Sequence, residues 1–377
     1  MRKTRNLFHI TTALIGLYAG ISYSQTMPFI GSSSMSTPRQ LPLMVTLKNG
    51  NVLVAGGFSG GNPGHVSAEI YNPSNGTWRA TTSMHYPRAY SSITLLQDGR
   101  VLVAGGGGDL SSASAELYDP STETWTLTRS LTTPRFYQKA VLLQDGRVLV
   151  SGGCAANYLS SAEIYDPATG IWTATGSMSI PRVLHTMVCL QDGRVLVAGG
   201  HISGTSFSSA EIYNPTSGQW TAAPPMSVTR GSHIMVLLAD GRVLVSGGVS
   251  SGYIFLSRAE IYDPSNNQWT ETGSMTSKRE WQVLTLLEDG RVLAAGGRSS
   301  IGPSIANAEI YNPITGQWLV TGSMTSARRC HDGVLLADGR VFIAGGIAGY
   351  TSQELARACP KRFLSMIFPK PVSGSRA

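Results

Sequence analysis

The sequence predicts an all-β protein in which seven four-stranded antiparallel sheets form the blades of a β-propeller. The first observation behind this prediction is the stretch Asp192–Gly200, Asp-Gly-Arg-Val-Leu-Val-Ala-Gly-Gly, which recurs in seven versions along the 377 residues. The second is that six of the copies are followed by a Tyr and a Trp seven residues apart, and the third is a period of 47 to 49 residues. Such a period is typical of one small sheet in a radially repeated β protein. The copies end at Gly56-Gly57, Gly105-Gly106, Gly152-Gly153, Gly199-Gly200, Gly247-Gly248, Gly296-Gly297 and Gly345-Gly346.

Each repeat predicts four strands, A to D, as the fourth repeat shows. Strand A is the apolar run Thr186–Leu190, and an Asp-Gly turn, a strong hairpin signal, leads into strand B, Val195–Ala198. Strand C is Ala210–Tyr213, which ends at Asn214-Pro215 because proline has no amide hydrogen to give to a ladder. Strand D begins near Trp220. Continuous Val and Leu runs indicate strands that are buried on both faces, as in a sheet packed between two others.

The repeated aromatic and glycine positions have packing explanations. A large Tyr or Trp ring covers roughly 150–250 Å² of apolar surface between neighbouring sheets. Glycines at the end of a strand indicate a place where a neighbour comes too close for a side chain. We expect that neighbour to be the Tyr or the Trp of the same sheet.

The two ends of the repeat region predict how the ring closes. Phe29 and Met35 stand in the register of a strand D, so the N-terminal segment is expected to add one strand to the last blade. His331–Gly346 supplies strands A and B of a seventh repeat, whereas Gln353-Glu354-Leu355 is a degenerate candidate for its strand C. Closing the ring with both termini in one blade removes exposed sheet edges. A ring of six blades is the alternative.

The sequence divides into three predicted segments. Residues 1–24 have basic residues before an apolar run of about fifteen residues, which predicts a secretory signal peptide and a secreted or extracytoplasmic protein. The run is short of the ~20 residues that span a bilayer, so no membrane span is expected after cleavage, with an uncleaved anchor as the alternative. Residues 25–357 are the predicted propeller, and residues 358–377 an irregular basic tail. A monomer is expected.

The positive charge lies outside the repeats. The formal net charge is +7, but the leader carries three cations and the segment after Leu355 carries five, which leaves the repeat body at −1. A nucleic-acid-binding domain needs a basic face on the folded part. Nucleic acid is therefore not an expected partner.

The double glycine after four apolar residues, followed by the spaced Tyr and Trp, resembles the kelch repeat over roughly residues 29–346. The resemblance implies a protein-interaction module. Exported members of this kind also resemble enzymes, namely galactose-oxidase-like copper radical oxidases and sialic acid mutarotases.

Chain direction predicts that one face of the ring carries the recognition loops. If the Asp-Gly and Asp-Pro turns lie at the bottom, the D–A links and the B–C loops lie at the top, and the B–C loops differ in length and composition. Variable loops on a rigid scaffold usually determine binding specificity. Tyr158, Phe207 and Tyr253 lie in these loops and are candidates for stacking on a sugar or contacting a peptide; the alternative is that their rings cover the ends of the loops.

A second candidate group is a ring of polar residues near the start of strand A. Three of these residues are histidines, and three imidazoles can hold zinc or copper. We favour a structural role, in which the side chains bond buried backbone groups or act as hydrogen-bonding groups at the channel mouth, and we expect no metal and no other cofactor. The candidate binding residues of this ring are Gln138, His185, His233, Gln282 and His331.

Arginines stand three residues before that ring, and glutamates open strand C on the same face. Near one-to-one repetition favours Arg–Glu pairing inside the protein, although an unpaired arginine would bind a carboxylate. Arg182, Arg230 and Arg328 are the candidates for such binding.

The residues favour a binding protein over an enzyme. The copper radical oxidases use a Tyr-His pair adjacent in sequence, and no His follows a Tyr in this chain. No catalytic residues are assigned. We predict an exported non-enzymatic propeller that binds a protein or a glycan through the B–C and D–A loops of one face; the alternative is a carbohydrate-active relative, either an epimerase or a copper radical oxidase.

Overall fold

A computed structural model describes residues 29–60, 64–107 and 113–348, and these residues form strands and turns without a helix. Accordingly, no helix of the described residues is long and apolar enough to cross a membrane. The predicted leader and basic tail lie outside the described residues.

Six sheets have four antiparallel strands each, and these are the complete blades. The strands of blades 1 to 3 are β1 (Leu43–Thr46), β2 (Val52–Ala55), β3 (Ala68–Asn72), β4 (Thr77–Ala80), β5 (Ser92–Leu95), β6 (Val101–Ala104), β7 (Ala115–Asp119), β8 (Thr124–Thr128), β9 (Lys139–Leu142), β10 (Val148–Ser151), β11 (Ala162–Asp166) and β12 (Ile171–Thr175).

Blades 4 and 5 carry an extra hairpin each in the B–C loop, and blade 6 has the longest strand D. Their strands are β13 (Thr186–Cys189), β14 (Val195–Ala198), β15 (His201–Ile202), β16 (Thr205–Ser206), β17 (Ala210–Asn214), β18 (Gln219–Ala223), β19 (Ile234–Leu237), β20 (Val243–Ser246), β21 (Val249–Ser250), β22 (Ile254–Phe255), β23 (Ala259–Asp263), β24 (Gln268–Thr272), β25 (Val283–Leu286), β26 (Val292–Ala295), β27 (Asn307–Asn312) and β28 (Gln317–Ser323).

The seventh position of the ring holds two long strands, β29 (Arg328–Leu335) and β30 (Val341–Ala348). Each innermost strand contacts the innermost strand of the next sheet all the way round, and β29 contacts both β25 and β1. The propeller fold is confirmed: six blades are complete, and a two-stranded sheet closes the ring in the seventh place. The candidate strand C of that sheet, Gln353-Glu354-Leu355, lies outside the described residues.

The N-terminal segment covers the seventh sheet without forming a regular strand. Residues 29–37 are extended coil, yet the Trp78 ring N–H donates to the Ser33 carbonyl at 2.8 Å. In the same way Trp125 donates to Thr82 at 3.0 Å, at the end of strand D of the preceding blade. The segment therefore takes the place of an outermost strand end, as its register predicts, without the ladder.

Strand B is buried at every residue in the six complete blades because each sheet packs between two others. The Tyr and Trp of each of these blades form a tilted pair, with ring centroids 4.9 Å apart for Tyr165 and Trp172. The Tyr165 hydroxyl also bonds Thr128 of the preceding blade at 2.9 Å. These rings are packing residues, as predicted.

The double glycines are explained by a neighbour other than the one expected. Gly152 has a φ of +65°, and a Cβ there would lie 2.6 Å from both the Arg182 carbonyl oxygen and His185 Cε1 of the next blade. The expectation that the Tyr or the Trp of the same sheet crowds this position is wrong. The close approach runs between blades, where the chain enters the next strand A.

Candidate binding site

Seven residues with left-handed backbone surround the upper end of the central channel, and we call them the mouth ring. Their φ angles lie between 45° and 58°. Each precedes the polar ring position by one residue, so every blade contributes one, and all line the same cavity: Leu41, Tyr90, Tyr137, Leu184, Ser232, Trp281 and Cys330.

The surrounding structure keeps the mouth-ring residues in this strained backbone conformation. A non-glycine residue in this conformation costs of order 1–3 kcal/mol, and such residues cluster at ligand-binding sites. Neighbours in the ring are joined by backbone hydrogen bonds, for example from Tyr137 N to Tyr90 O at 3.0 Å and from Ser232 N to Leu184 O at 3.0 Å. Three of the seven are large aromatic residues, Tyr90, Tyr137 and Trp281, and all three line the cavity.

The cavity below the mouth ring has a volume of about 350 Å³. This is the lower end of the range for small-molecule pockets. Its wall combines the aromatic and aliphatic groups of the mouth with polar side chains, among them Ser91, Ser92, Lys139 and Asp332. The cavity therefore offers both apolar and hydrogen-bonding contacts.

Lys139 and Asp332 belong to β9 and β29, three blades apart, and so face each other from opposite sides of the ring. Lys139 is exposed to the channel, and Asp332 is half-buried. Burial raises the pKa of Asp332 to about 6, although the Gly333 amide and the positive charge of Lys139 both oppose the shift. Burial lowers the pKa of Lys139, and Asp332 opposes this.

The predicted ring of histidines and glutamines lies at the same cavity but bonds mainly to the preceding blade. Gln138 Nε2 donates to Ala104 O at 2.8 Å, His331 Nε2 lies 3.2 Å from Ala295 O, and His233 Nε2 lies 2.8 Å from Thr186 Oγ1. Gln282 bonds Ser246. In the described part of the chain, neither ring nitrogen of the buried His185 has a hydrogen-bond partner. These side chains join blades at the channel mouth, in line with the structural role favoured above.

Burial keeps the imidazoles of this ring neutral. It lowers the pKa values of His233 and His331 to about 3, helped by nearby arginines, and lowers that of His185 well below its ordinary value. Neutral imidazole can bind a metal, but here the available nitrogens are directed between blades. Within the described residues no three His, Cys, Asp or Glu side chains converge on a common point.

The arginines are buried and paired within each blade. Arg182 Nη2 lies 3.0 Å from Glu211, Arg230 Nη2 lies 2.9 Å from Glu260, and four further pairs repeat this geometry. Arg182 and Arg230 are thus inside the blades, away from the cavity. Arg328 is half-buried and donates to Gly345 O at 3.0 Å, and has no carboxylate partner in the described part of the chain.

The predicted upper loops do lie on one face, next to the mouth ring. B–C loops bond D–A links, as from Arg230 N to Phe207 O at 2.8 Å. Tyr158 packs in an aromatic cluster with Tyr137, and Phe207 lies under the Arg182 guanidinium, 5.9 Å from its ring centroid. Tyr253 lines a small second cavity beside the mouth.

A sequence profile of the Kelch motif matches residues 45–85, 95–132, 135–179, 181–227, 236–276 and 289–325. The chain belongs to the Kelch family. The comparison with curated proteins gives no match.

Two solved structures share the fold of this kelch propeller. One is a fungal alcohol oxidase of the AA5 family in complex with copper, with a TM-score of 0.71 and 20% identity over 84% of this chain and 72% of that chain. The other is YjhT, with a TM-score of 0.61 and 14% identity over 77% of this chain and 99% of that chain. Identities this low establish the architecture alone.

The residues of the kelch propeller do not fit a copper centre of the kind the first neighbour holds. Copper needs several imidazole, thiolate or phenolate ligands around one point. His233 and His331 direct Nε2 towards neighbouring strands instead, and the described residues bring no three His, Cys, Asp or Glu side chains together.

Three features of the site escaped the sequence reasoning. The mouth ring stands one residue before the polar ring, and it has an aromatic residue in three of seven repeats. Lys139 and Asp332 stand one residue after the polar ring, in a register that is otherwise uncharged. Comparing the seven repeats position by position would have found all of these residues, but would not have told which side faces the channel.

Proposed function

We propose that this protein is an exported, non-enzymatic kelch propeller that binds the end of a glycan at the channel mouth, with the upper loops around it. The placement outside the cell rests on the leader-like residues 1–24. The D–A links contribute the mouth ring, and the B–C loops of blades 4 and 5 line the adjoining small cavity.

The observation that carries this proposal is the group of aromatic side chains around a concave, partly polar cavity. Sugars present apolar C–H faces that stack on aromatic rings, together with hydroxyls that need hydrogen-bonding partners. Tyr90, Tyr137 and Trp281 supply the first, and Ser91 and Asp332 the second. A protein ligand, also expected from the sequence, would reach this cavity only with a protruding side chain or terminus.

A second candidate function is an acid–base reaction on a small sugar, such as an epimerisation. The specific observation in its favour is Asp332, whose pKa of about 6 is close to the optimum for proton transfer near neutral pH. Lys139 faces it across the cavity. The sequence left a carbohydrate-active relative open as the alternative, and Asp332 is the residue at which this alternative can be tested.

Glycan-array binding tests the main proposal. We expect the purified protein to retain a limited set of glycans, and the Trp281→Ala variant to lose most of this binding, since stacking on a ring supplies much of the contact area. Tyr86→Ala is the matched control, because Tyr86 is an exposed aromatic residue that lines neither cavity.

Two results would contradict the proposal. If the protein retains no glycan on the array, glycans are excluded as its ligands. Conversion of a bound sugar to its anomer or epimer, followed by NMR and abolished in Asp332→Asn, would replace binding by catalysis.

A further inference from the structure

Blade 6 carries a buried ion pair where no other repeat does. Glu280 and Arg298 form an isolated bridge between the D–A link and the B–C loop. The residues in register with Glu280 are Gln40, Ala89, Phe136, Val183, Gly231 and Arg329, and those in register with Arg298 are Phe58, Gly107, Cys154, His201, Val249 and Ile347. The pairing of a carboxylate with a guanidinium at this position is specific to one blade.

The fold does not require this pair. Glu280 is 1% exposed and Arg298 5%, and Arg298 Nε donates to Glu280 Oε1. Replacing a buried ion pair by apolar residues of similar volume is often neutral or stabilising. Blades 1, 3, 4 and 5 make the same bridge without one, for example through Val183 and His201. A ligand-binding role explains why charge is present at this one place.

Glu280 combines a buried carboxylate oxygen with a place in the wall of a small cavity. Within the described residues Oε2 has no hydrogen-bond partner, and Glu280 lines the cavity with His201, Ser250 and Tyr253. A buried carboxylate oxygen without a partner is costly, which marks it as an acceptor for a group that arrives from outside.

The small cavity is a side pocket of the channel mouth. Leu184 and Ser232 of the mouth ring line both cavities. The pocket has room for one small group, about 20 Å³. Its wall is mostly apolar, and Trp281 of the mouth ring follows Glu280 directly in the chain. A sugar stacked at the mouth would therefore lie next to the opening of this pocket.

We propose that the side pocket receives the exocyclic hydroxymethyl group of a sugar bound at the mouth, with its O–H donating to Glu280 Oε2. This rests on the proposed glycan-binding function. Val249 and Leu184 accommodate the methylene, and the Ser250 hydroxyl lies in the same wall. The charge of Arg298 bonded to Glu280, with Arg329 nearby, disfavours a cationic group in the pocket.

The experiment measures dissociation constants by ligand-observed NMR for six probes. These are the methyl pyranosides of D-glucose, D-galactose and D-mannose and their 6-deoxy counterparts. For each parent sugar that binds, we expect the dissociation constant of the 6-deoxy form to be at least about tenfold higher, because the 6-deoxy form cannot donate a hydrogen bond to the charged acceptor.

The double variant Glu280→Val/Arg298→His copies the pair that blade 4 carries at Val183 and His201 and is expected to fold with an unchanged or higher Tm. In this variant the parent and 6-deoxy sugars should bind equally. Trp281→Ala is the matched control, and it should weaken both members of each pair while keeping their ratio.

The outcomes separate the two proposals. Equal binding of parent and 6-deoxy sugars by the natural protein would overturn the side-pocket assignment and leave glycan binding intact. Discrimination that survives in the double variant would overturn the role of Glu280. If none of the six probes binds up to its solubility limit, the side-pocket assignment is overturned, because each parent sugar carries the exocyclic hydroxymethyl group; retention of no glycan on the array is the separate result that contradicts glycan binding.

Discussion

The buried Arg–Glu pairs make the strongest stability prediction, and blade 3 provides the example. Arg135 and Glu163 are each 1% exposed, and Arg135 Nη2 lies 2.7 Å from Glu163 Oε1. Glu163 also accepts hydrogen bonds from the amides of Thr132 at 2.7 Å and Thr133 at 3.1 Å. It thus fixes the D–A link that leads to the channel mouth.

Glu163→Gln keeps the size of the side chain and removes its charge. Arg135 is then left as an uncompensated buried cation, and breaking a buried pair in this way costs about 3–5 kcal/mol. We expect a corresponding loss in the free energy of unfolding, measured by urea denaturation at neutral pH. The double variant Arg135→Met/Glu163→Leu should be less destabilised than the single variant, because no charge stays buried.

The matched control is the same substitution in an exposed pair. Arg79 and Glu123 are paired on the surface, with side chains 50% and 37% exposed. Glu123→Gln should cost at most about 1 kcal/mol. If Glu163→Gln costs no more than Glu123→Gln, the buried pairs do not support the blades and this reasoning is wrong.

Three further predictions concern the glycine position and the titrating groups of the channel. Gly152→Ala should cost about 2–5 kcal/mol, because its Cβ would lie 2.6 Å from the Arg182 carbonyl at a φ of +65°. Gly204→Ala has open space at a φ of +86° and should cost only about 1–2 kcal/mol in the same urea titration. Since the pKa of Asp332 rises from 3.8 to about 6 on folding, its ionisation lowers stability as the pH rises through 6. Asp332→Asn should therefore gain up to about 3 kcal/mol over the natural protein between pH 4 and pH 7, less where channel water screens the charge, and an equal difference at both pH values would contradict this. For His331 the pKa falls from 6.5 to about 3, so its contribution is complete above pH 6.5 and is lost as the pH falls. At pH 5 the natural protein should have lost about 2 kcal/mol of stability that His331→Gln, which copies the residue in register in blades 3 and 6, does not lose. Identical pH profiles of stability for the two proteins would refute this.

Much of the architecture was predictable because its signals are local and repeated. The Asp-Gly turns, the Val-Leu runs and the Tyr–Trp spacing each act within one blade, and seven copies make every position readable against the others. Arg182 and Glu211 could be paired from their repetition alone. The glycine-rich strand ends predicted a close approach correctly but named the wrong neighbour, because Gly152 meets His185 of the next blade.

The channel mouth was less predictable, because its residues come together only when the ring closes. Lys139 and Asp332 are almost two hundred residues apart in the chain, and only ring closure brings β9 and β29 to opposite walls of one channel. The sequence by itself determined the blades, their strand order and the face that carries the loops, since short-range pattern fixes these. Only the tertiary structure decided that members of the polar ring, which line the cavity, bond to the preceding blade. Ring closure is the physical reason, because these hydrogen bonds and the cavity form only where neighbouring blades meet.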